Sequence, residues 1–134
     1  MKLNIKSPGK TETVFQSQAK LFKVLSHPAR LAILTVLREE ESCVCHLETL
    51  LGYRQAYISQ QLSLLRELGI VEDRRDGWNN FYKVRDGSIF NILDMSAEYL
   101  GLSIARHDPV ASQGSCPCPK CSSNPAILAF ELLM

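Results

Sequence analysis

The segment that most constrains the fold is residues 54–85, where a helical repeat with one polar face is followed directly by a hairpin pattern. In "RQAYISQQLSLLREL", Ile58, Leu62 and Leu65 fall on one side of a helix that turns about 100° per residue. The opposite face consists of Ala56, Ser59, Gln60 and Ser63, and it is small, polar and free of acidic side chains over three turns. Most polar helix faces are simply solvated, but such faces normally carry Lys and Glu. The uncharged face therefore favours hydrogen bonding to a ligand.

The sequence on either side of this helix predicts the rest of the arrangement. A short helical segment, "CHLETLLG", precedes it, and Gly52 predicts a tight turn, so the pair has the form of a helix-turn-helix. After Gly69, the apolar pair at 70–71 and "FYKV" predict two strands, and "RRDGWNN" between them is rich in turn residues. We expect a β-hairpin whose tip carries Arg74, Arg75 and Trp78. Beside a helix-turn-helix, such a hairpin is the wing of a winged helix, and its arginines would contact phosphates or the minor groove.

The predicted fold class is mostly α with a small β-hairpin (α+β), arranged as a winged helix-turn-helix over residues 11–104. Residues 1–10 read as a flexible arm, and residues 105–134 as a cysteine-containing tail. The fifth helix, "SIFNILDMSAEYLGLSI", is apolar on more than one side, and the first helix also has spare apolar surface. We therefore expect a homodimer built from the first and fifth helices. Its paired recognition helices would read palindromic half-sites about 34 Å apart on double-stranded DNA.

The five cysteines form two groups, Cys43 and Cys45 in "SCVCH", and Cys116, Cys118 and Cys121 in "SCPCPKC". The odd number and the Cys-x-Cys gaps argue against a disulfide framework and favour metal binding or redox chemistry. Residues i and i+2 of a helix point about 200° apart. The first pair can meet on one ion only if that end is not helical or if binding unwinds it.

Thiolates prefer soft ions, and As(III) takes three sulfurs, whereas Cd, Pb or Zn accept three or four ligands. Two sulfurs are too few, so a further ligand is required. His46 is one candidate, and the tail cysteines are the better one. Whether the two groups form one site or two, within one subunit or across a dimer, stays open.

The stretches "LSHPARLAILTVL", "ESCVCHL" and "ISQQLSLLRELGIV", with the wing, resemble the ArsR/SmtB family of winged-helix repressors over about residues 15–104. The resemblance implies homodimers that hold an operator when unliganded and leave it when a metal or metalloid ion binds. It implies ligand roles for Cys43 and Cys45. It also implies that Ser59 is the recognition-helix serine, with reading positions around it at Gln55, Ala56, Tyr57 and Gln60.

Composition excludes several other classes of protein. The net charge is only +1, so the chain is not a polybasic nucleic-acid binder. The N-terminal "MKLNIKSPGK" lacks the apolar core of a signal peptide, and no apolar run approaches the roughly 20 residues that span a bilayer. We expect a cytoplasmic protein with no membrane partner. We see no catalytic triad, glycine-rich phosphate loop or paired carboxylates, and so predict neither an enzyme nor an organic cofactor.

The sequence thus predicts a DNA-binding repressor that dissociates from its operator on binding a thiophilic ion of the As(III), Cd, Pb or Zn class. One alternative is a thiol redox or persulfide sensor of the same fold. Another is a metal-buffering or interaction module whose winged helix docks on protein instead of DNA.

Overall fold

The computed structural model describes residues 11–102, which form five helices and a three-stranded antiparallel sheet. The helices are α1 (Val14–Leu25), α2 (Pro28–Glu39), α3 (Val44–Leu51), α4 (Gln55–Glu67) and α5 (Ile89–Tyr99). The strands are β1 (Ser42–Cys43), β2 (Val71–Asp76) and β3 (Asn79–Val84), in the spatial order β1-β3-β2. This architecture confirms the predicted winged helix-turn-helix. Within residues 11–102, no helix is both long and apolar enough to cross a membrane.

Local sequence signals set several of the helix ends. Thr13 forms a capping box with Gln16: the Gln16 amide donates to the Thr13 hydroxyl at 3.2 Å, and the Thr13 amide donates to the Gln16 side chain at 2.9 Å. Pro28 occupies the first turn of α2, where its missing N–H costs nothing. Gly52 ends α3 in the left-handed conformation at φ 72°, and its amide donates to the Glu48 carbonyl. That turn leads directly into α4, as predicted.

The hydrophobic core lies where α2, α3 and α4 meet the sheet. Six core side chains have no exposed surface: Ile33, Leu34, Leu47, Ile58, Leu62 and Leu65. α3 packs against α2 on one side and α4 on the other, and β2 follows α4 through Ile70, which is also buried. The core therefore joins the helix-turn-helix and the base of the wing into one unit.

The sheet differs from the sequence prediction in two respects. The hairpin strands are longer than expected, so Arg74 and Arg75 lie within β2, and the predicted tip position for them is wrong. The tip consists of Gly77 and Trp78, with φ of Gly77 at 60°, as a two-residue turn with glycine first requires. The second difference is β1, a strand absent from the prediction, which pairs with β3 on the side opposite β2.

α5 is attached to the domain by Arg38, at the end of α2. Its Nη2 donates to Asp94 Oδ1 at 2.7 Å and to the Phe90 carbonyl at 3.2 Å, and its guanidinium lies 4.6 Å from the Phe90 ring centroid. No residue of α5 is fully buried. The outer face of α5 and the segment after it expose Met95, Tyr99, Leu100 and Leu102, while α1 exposes Val14, Phe15 and Phe22. The apolar excess inferred from the sequence is thus on the surface.

Candidate nucleic-acid interface and thiol site

α4 has two faces with opposite character. Its apolar side chains, Ile58, Leu62 and Leu65, are fully buried. On the other side Gln55, Ala56 and Gln60 are exposed, and Ser59 and Ser63 are half-buried. From Gln55 to Ser63 the helix therefore presents a small, uncharged, hydrogen-bonding surface along its outer side, as the spacing predicted. Within a helix-turn-helix this is the surface that can enter the major groove.

Tyr57, the remaining predicted reading residue, is held closer to the protein. Its hydroxyl lies 3.4 Å from His27 Nε2, and its ring centroid lies 5.3 Å from that of Tyr53. A second polar contact anchors α4 to α2, because Arg30 Nε donates to Gln61 Oε1 at 2.8 Å. Sequence reasoning missed both contacts, since helical periodicity carries no signal for pairs separated by 30 or 31 residues.

The wing presents its polar side chains on an exposed ribbon. Arg75 is exposed and its Nε donates to the Gly77 carbonyl at 3.3 Å, which keeps the side chain near the tip. Trp78 is 96% exposed, so it does not pack on α5. Arg74 ion-pairs with Glu41 and, more distantly, with Asp76. The wing therefore carries exposed cationic and aromatic groups along one strand and at the tip.

The box cysteines, Cys43 and Cys45, lie at the junction of β1 and α3. Cys43 is the residue before α3, in an extended conformation (φ −85°, ψ 165°), and it pairs with Phe81 of β3. Cys45 is in the first helical turn. Because Cys43 is not helical, the 200° separation does not apply, and the two sulfurs lie 2.7 Å apart. Cys43 is buried and Cys45 is half-buried, so the pair is reached from one side.

Within the described residues, the donor set around the box contains two sulfurs, which suit a thiophilic ion. His46 Nε2 lies 3.8 Å from Glu40 Oε1. Among residues 11–102, no cluster of three or more His, Cys, Asp or Glu side chains is placed to hold a metal ion. Cys116, Cys118 and Cys121 lie outside the described residues. Residues 11–102 by themselves therefore do not make up a complete ion site.

Comparison with known proteins places the domain in a family. Residues 27–73 match the family model described as bacterial regulatory protein, arsR family. The chain is 33% identical over 85 residues to a transcriptional repressor SmtB homolog of Synechocystis, covering 63% of this chain and 64% of that protein. It is 31% identical over 84 residues to the cadmium resistance transcriptional regulatory protein CadC of Listeria innocua, covering 62% of this chain and 71% of that protein.

The solved structures agree with the sequence comparison. The crystal structure of Rv0081 from Mycobacterium tuberculosis superposes with a TM-score of 0.61 at 35% identity, covering 68% of this chain and 92% of that one. The chain spans slightly less than two thirds of the length of the SmtB homolog, so the likeness concerns the helix-turn-helix domain and not that whole protein. The matched segment contains α2, the cysteine box, α3 and α4. On these grounds the chain belongs to the ArsR/SmtB family of helix-turn-helix transcriptional regulators.

Proposed function

We propose that this protein is a transcriptional repressor that holds double-stranded DNA through α4 and the wing and releases it when a thiophilic ion binds the cysteine box. The observation that carries the proposal is the position of the two thiols. They converge at the N-terminal end of α3, and α3 packs directly on α4. An ion that shifts Cys45 relative to Cys43, which pairs with Phe81 of β3, moves the helix that supports the DNA-reading helix. Soft thiolate ligands favour Cd, Pb, Zn or As(III) over Ca or Mg.

The DNA-holding part of the proposal rests on charge and shape. The outer face of α4 has no acidic side chain from Gln55 to Ser63, so it can approach the base edges without repulsion from phosphates. The cations of the wing, Arg74 and Arg75, are on an exposed strand beside it. Phosphate contacts then set position, and the α4 side chains supply sequence readout.

Replacing Arg75 with Gln should weaken binding to duplexes of any sequence and reduce the salt dependence of that binding. Each lost phosphate contact lowers the slope of log K against log salt by about 0.9. The measurement is fluorescence anisotropy on a labelled mixed-sequence duplex over a salt series. Lys23→Gln, on α1, removes the same charge away from the interface and should leave the slope unchanged. Equal slopes for both variants would mean that Arg75 does not contact DNA phosphate. If DNA binding did not depend on salt at all, the result would favour a protein-docking module.

The active unit is a homodimer that buries the exposed apolar faces of α1 and α5. Phe15 and Tyr99 are 80% and 90% exposed, which for side chains of this size leaves a large apolar area in water. Joining the two faces about a two-fold axis covers it and places two copies of α4 for a palindromic operator. The spacing of the half-sites then follows from the dimer.

Substituting Glu for both Phe22 and Met95 should convert the dimer to a monomer, because each carboxylate would be buried against apolar surface in the interface. Sedimentation velocity gives the mass directly. Lys23→Glu, about 100° round α1 from Phe22, serves as the control for added negative charge and should remain dimeric. A dimer that survives Phe22→Glu/Met95→Glu would place the interface elsewhere.

A redox sensor of the same fold is the second candidate, and the sulfur geometry favours it. The Cys43 and Cys45 sulfurs are in direct contact, so a small movement could bring them to the separation of a disulfide bond, about 2.05 Å. Forming a disulfide removes two electrons and two protons, which an oxidant such as a peroxide accepts. Release of DNA by peroxide without metal, reversed by a dithiol, identifies this candidate. Release by Cd(II) under full reduction identifies the first.

A further inference from the structure

One rung of the sheet connects the cysteine box to the wing. Phe81, in the central strand, pairs with Cys43 on one side and with Arg74 on the other. Neighbours on one rung of an antiparallel sheet project to the same face. The Arg74 guanidinium accordingly lies over the Phe81 ring, 5.1 Å from its centroid. A thiol of the box and a cation of the wing are thus separated by a single side chain.

A second connection bridges the same two elements. Glu41, two residues before Cys43, accepts hydrogen bonds at Oε1 from Arg74 Nε at 3.1 Å and from Arg74 Nη2 at 2.5 Å. Asp76 Oδ2 lies 3.8 Å from Arg74 Nη1. The hydrogen bond to Glu41 raises the pKa of the Arg74 guanidinium above its ordinary value, more than partial burial lowers it. Arg74 therefore stays charged, and its charge is offset by an acidic partner at the edge of the box.

We propose that Glu41 is a positioning residue that competes with DNA phosphate for Arg74 and so couples the cysteine box to the wing. The edge of the guanidinium formed by Nε and Nη2 is engaged by Glu41, and this edge is one that can bind a phosphate bidentately. It can serve one partner at a time. Arg74 can contact DNA through this edge only after its hydrogen bonds to Glu41 break.

The coupling to the box rests on the proposed function. Glu41 and Cys43 are two residues apart on a segment that β3 holds by the Ser42–Tyr82 and Cys43–Phe81 pairs. An ion bound to Cys43 that fixes residues 41–43 in place would preserve the hydrogen bonds between Glu41 and Arg74. Arg74 would then be less available to bind DNA phosphate. By linkage, ion binding then opposes DNA binding, and removing the Glu41 carboxylate weakens that opposition.

The test is a double-mutant cycle on binding to a mixed-sequence duplex of about 30 base pairs. Glu41→Gln should tighten binding about two- to fivefold, the range of one exposed ion pair. In the Arg74→Gln background the same substitution should have no effect. Glu72→Gln is the matched control, because it removes the same charge from the wing where Glu72 pairs with Lys83 at 3.1 Å. Its effect should be equal in both backgrounds.

Two results overturn the competition. Equal tightening by Glu41→Gln with and without Arg74 would mean a general electrostatic effect, and weaker binding by Glu41→Gln would mean that Glu41 presents Arg74 to DNA. In the free protein, the NMR resonance of the Arg74 Nε–H should shift in Glu41→Gln and not in Glu72→Gln. An unchanged resonance would show that the Glu41–Arg74 ion pair does not form in solution. This measurement needs no DNA.

A Cd(II) arm separates this inference from the proposed function. The loss of duplex affinity caused by Cd(II) should be about two- to fivefold smaller in Glu41→Gln than in the wild type, the part of the response that passes through one exposed ion pair. If Cd(II) fails to release the wild type while the cycle still shows Glu41–Arg74 coupling, the proposed function fails and the competition stands. If Cd(II) releases Glu41→Gln as fully as the wild type, the link to the box is wrong and the proposed function stands.

Discussion

Replacing both box cysteines with serine should abolish the response of DNA binding to Cd(II). Allosteric coupling free energies are typically about 1–3 kcal/mol, so Cd(II) should weaken DNA binding by the wild type about 5- to 150-fold. Serine keeps the shape of the side chain but does not offer a thiolate, and Cys43→Ser/Cys45→Ser should change its affinity less than about twofold with Cd(II) over the same range. The effect is large because the two sulfurs, which lie together at the junction of β1 and α3, are lost together.

Anisotropy titrations of a mixed-sequence duplex, with Cd(II) buffered under reducing conditions, provide the measurement. Circular dichroism and the metal-free affinity serve as controls, and both should match the wild type. Cys116→Ser/Cys118→Ser/Cys121→Ser provides the comparison for the tail. A full response to Cd(II) in that variant would mean that the box needs no tail sulfur. Loss of the response would mean that the box cysteines and the tail cysteines form one site. Release of DNA from Cys43→Ser/Cys45→Ser by Cd(II) would place the sensor outside the box.

Truncating Leu47 should destabilise the domain by about 2–5 kcal/mol, the range for a buried leucine replaced by alanine. Leu47 has no exposed surface and lies on α3, which packs against both α2 and α4. The cavity left by Leu47→Ala would sit under the helix-turn-helix, where the neighbouring helices are held by several other contacts and can collapse only partly. A loss of this size is a large part of the stability of a typical domain.

Urea denaturation followed by circular dichroism gives the free energy of unfolding. Glu48→Ala, one residue further along α3, removes an exposed side chain and should change that free energy by less than about 0.5 kcal/mol. If the protein is dimeric, all variants are compared at one protomer concentration, since dissociation contributes to the unfolding equilibrium. A loss of less than about 1 kcal/mol in the free energy of unfolding of Leu47→Ala would show that the contact between α3 and α4 adapts readily. That result would weaken the proposal that α3 transmits ion binding from the cysteine box to α4.

The parts of the fold that depend on short-range pattern could be predicted from the sequence. The two faces of α4 follow from the spacing of Ile58, Leu62 and Leu65, and the turn before it follows from Gly52, which no other residue replaces easily at positive φ. Pro28 likewise marks the start of α2. Each of these signals lies within a few residues of the structure it determines.

The features that depend on distant pairs could not be predicted in this way. β1 contains two residues and exists only because β3 pairs with it, so its own composition carries no strand signal. The convergence of Cys43 and Cys45 follows from that pairing, which keeps Cys43 out of the helix. The contact between Glu41 and Arg74 joins residues 33 apart. The ends of the hairpin strands were misplaced for the same reason, because the paired register, and not turn composition, determines where β2 ends.

The exposed turn at the wing tip gives the protein an intrinsic fluorescent probe of the wing. Trp78 is the single tryptophan of the chain and is almost fully exposed. Its emission therefore reports one place, the end of the wing, without a contribution from the core. Quenching by iodide, or a change in emission on mixing with a duplex, follows the wing tip in real time without an attached dye. Wing engagement can then be timed against overall DNA binding, which labelled DNA reports.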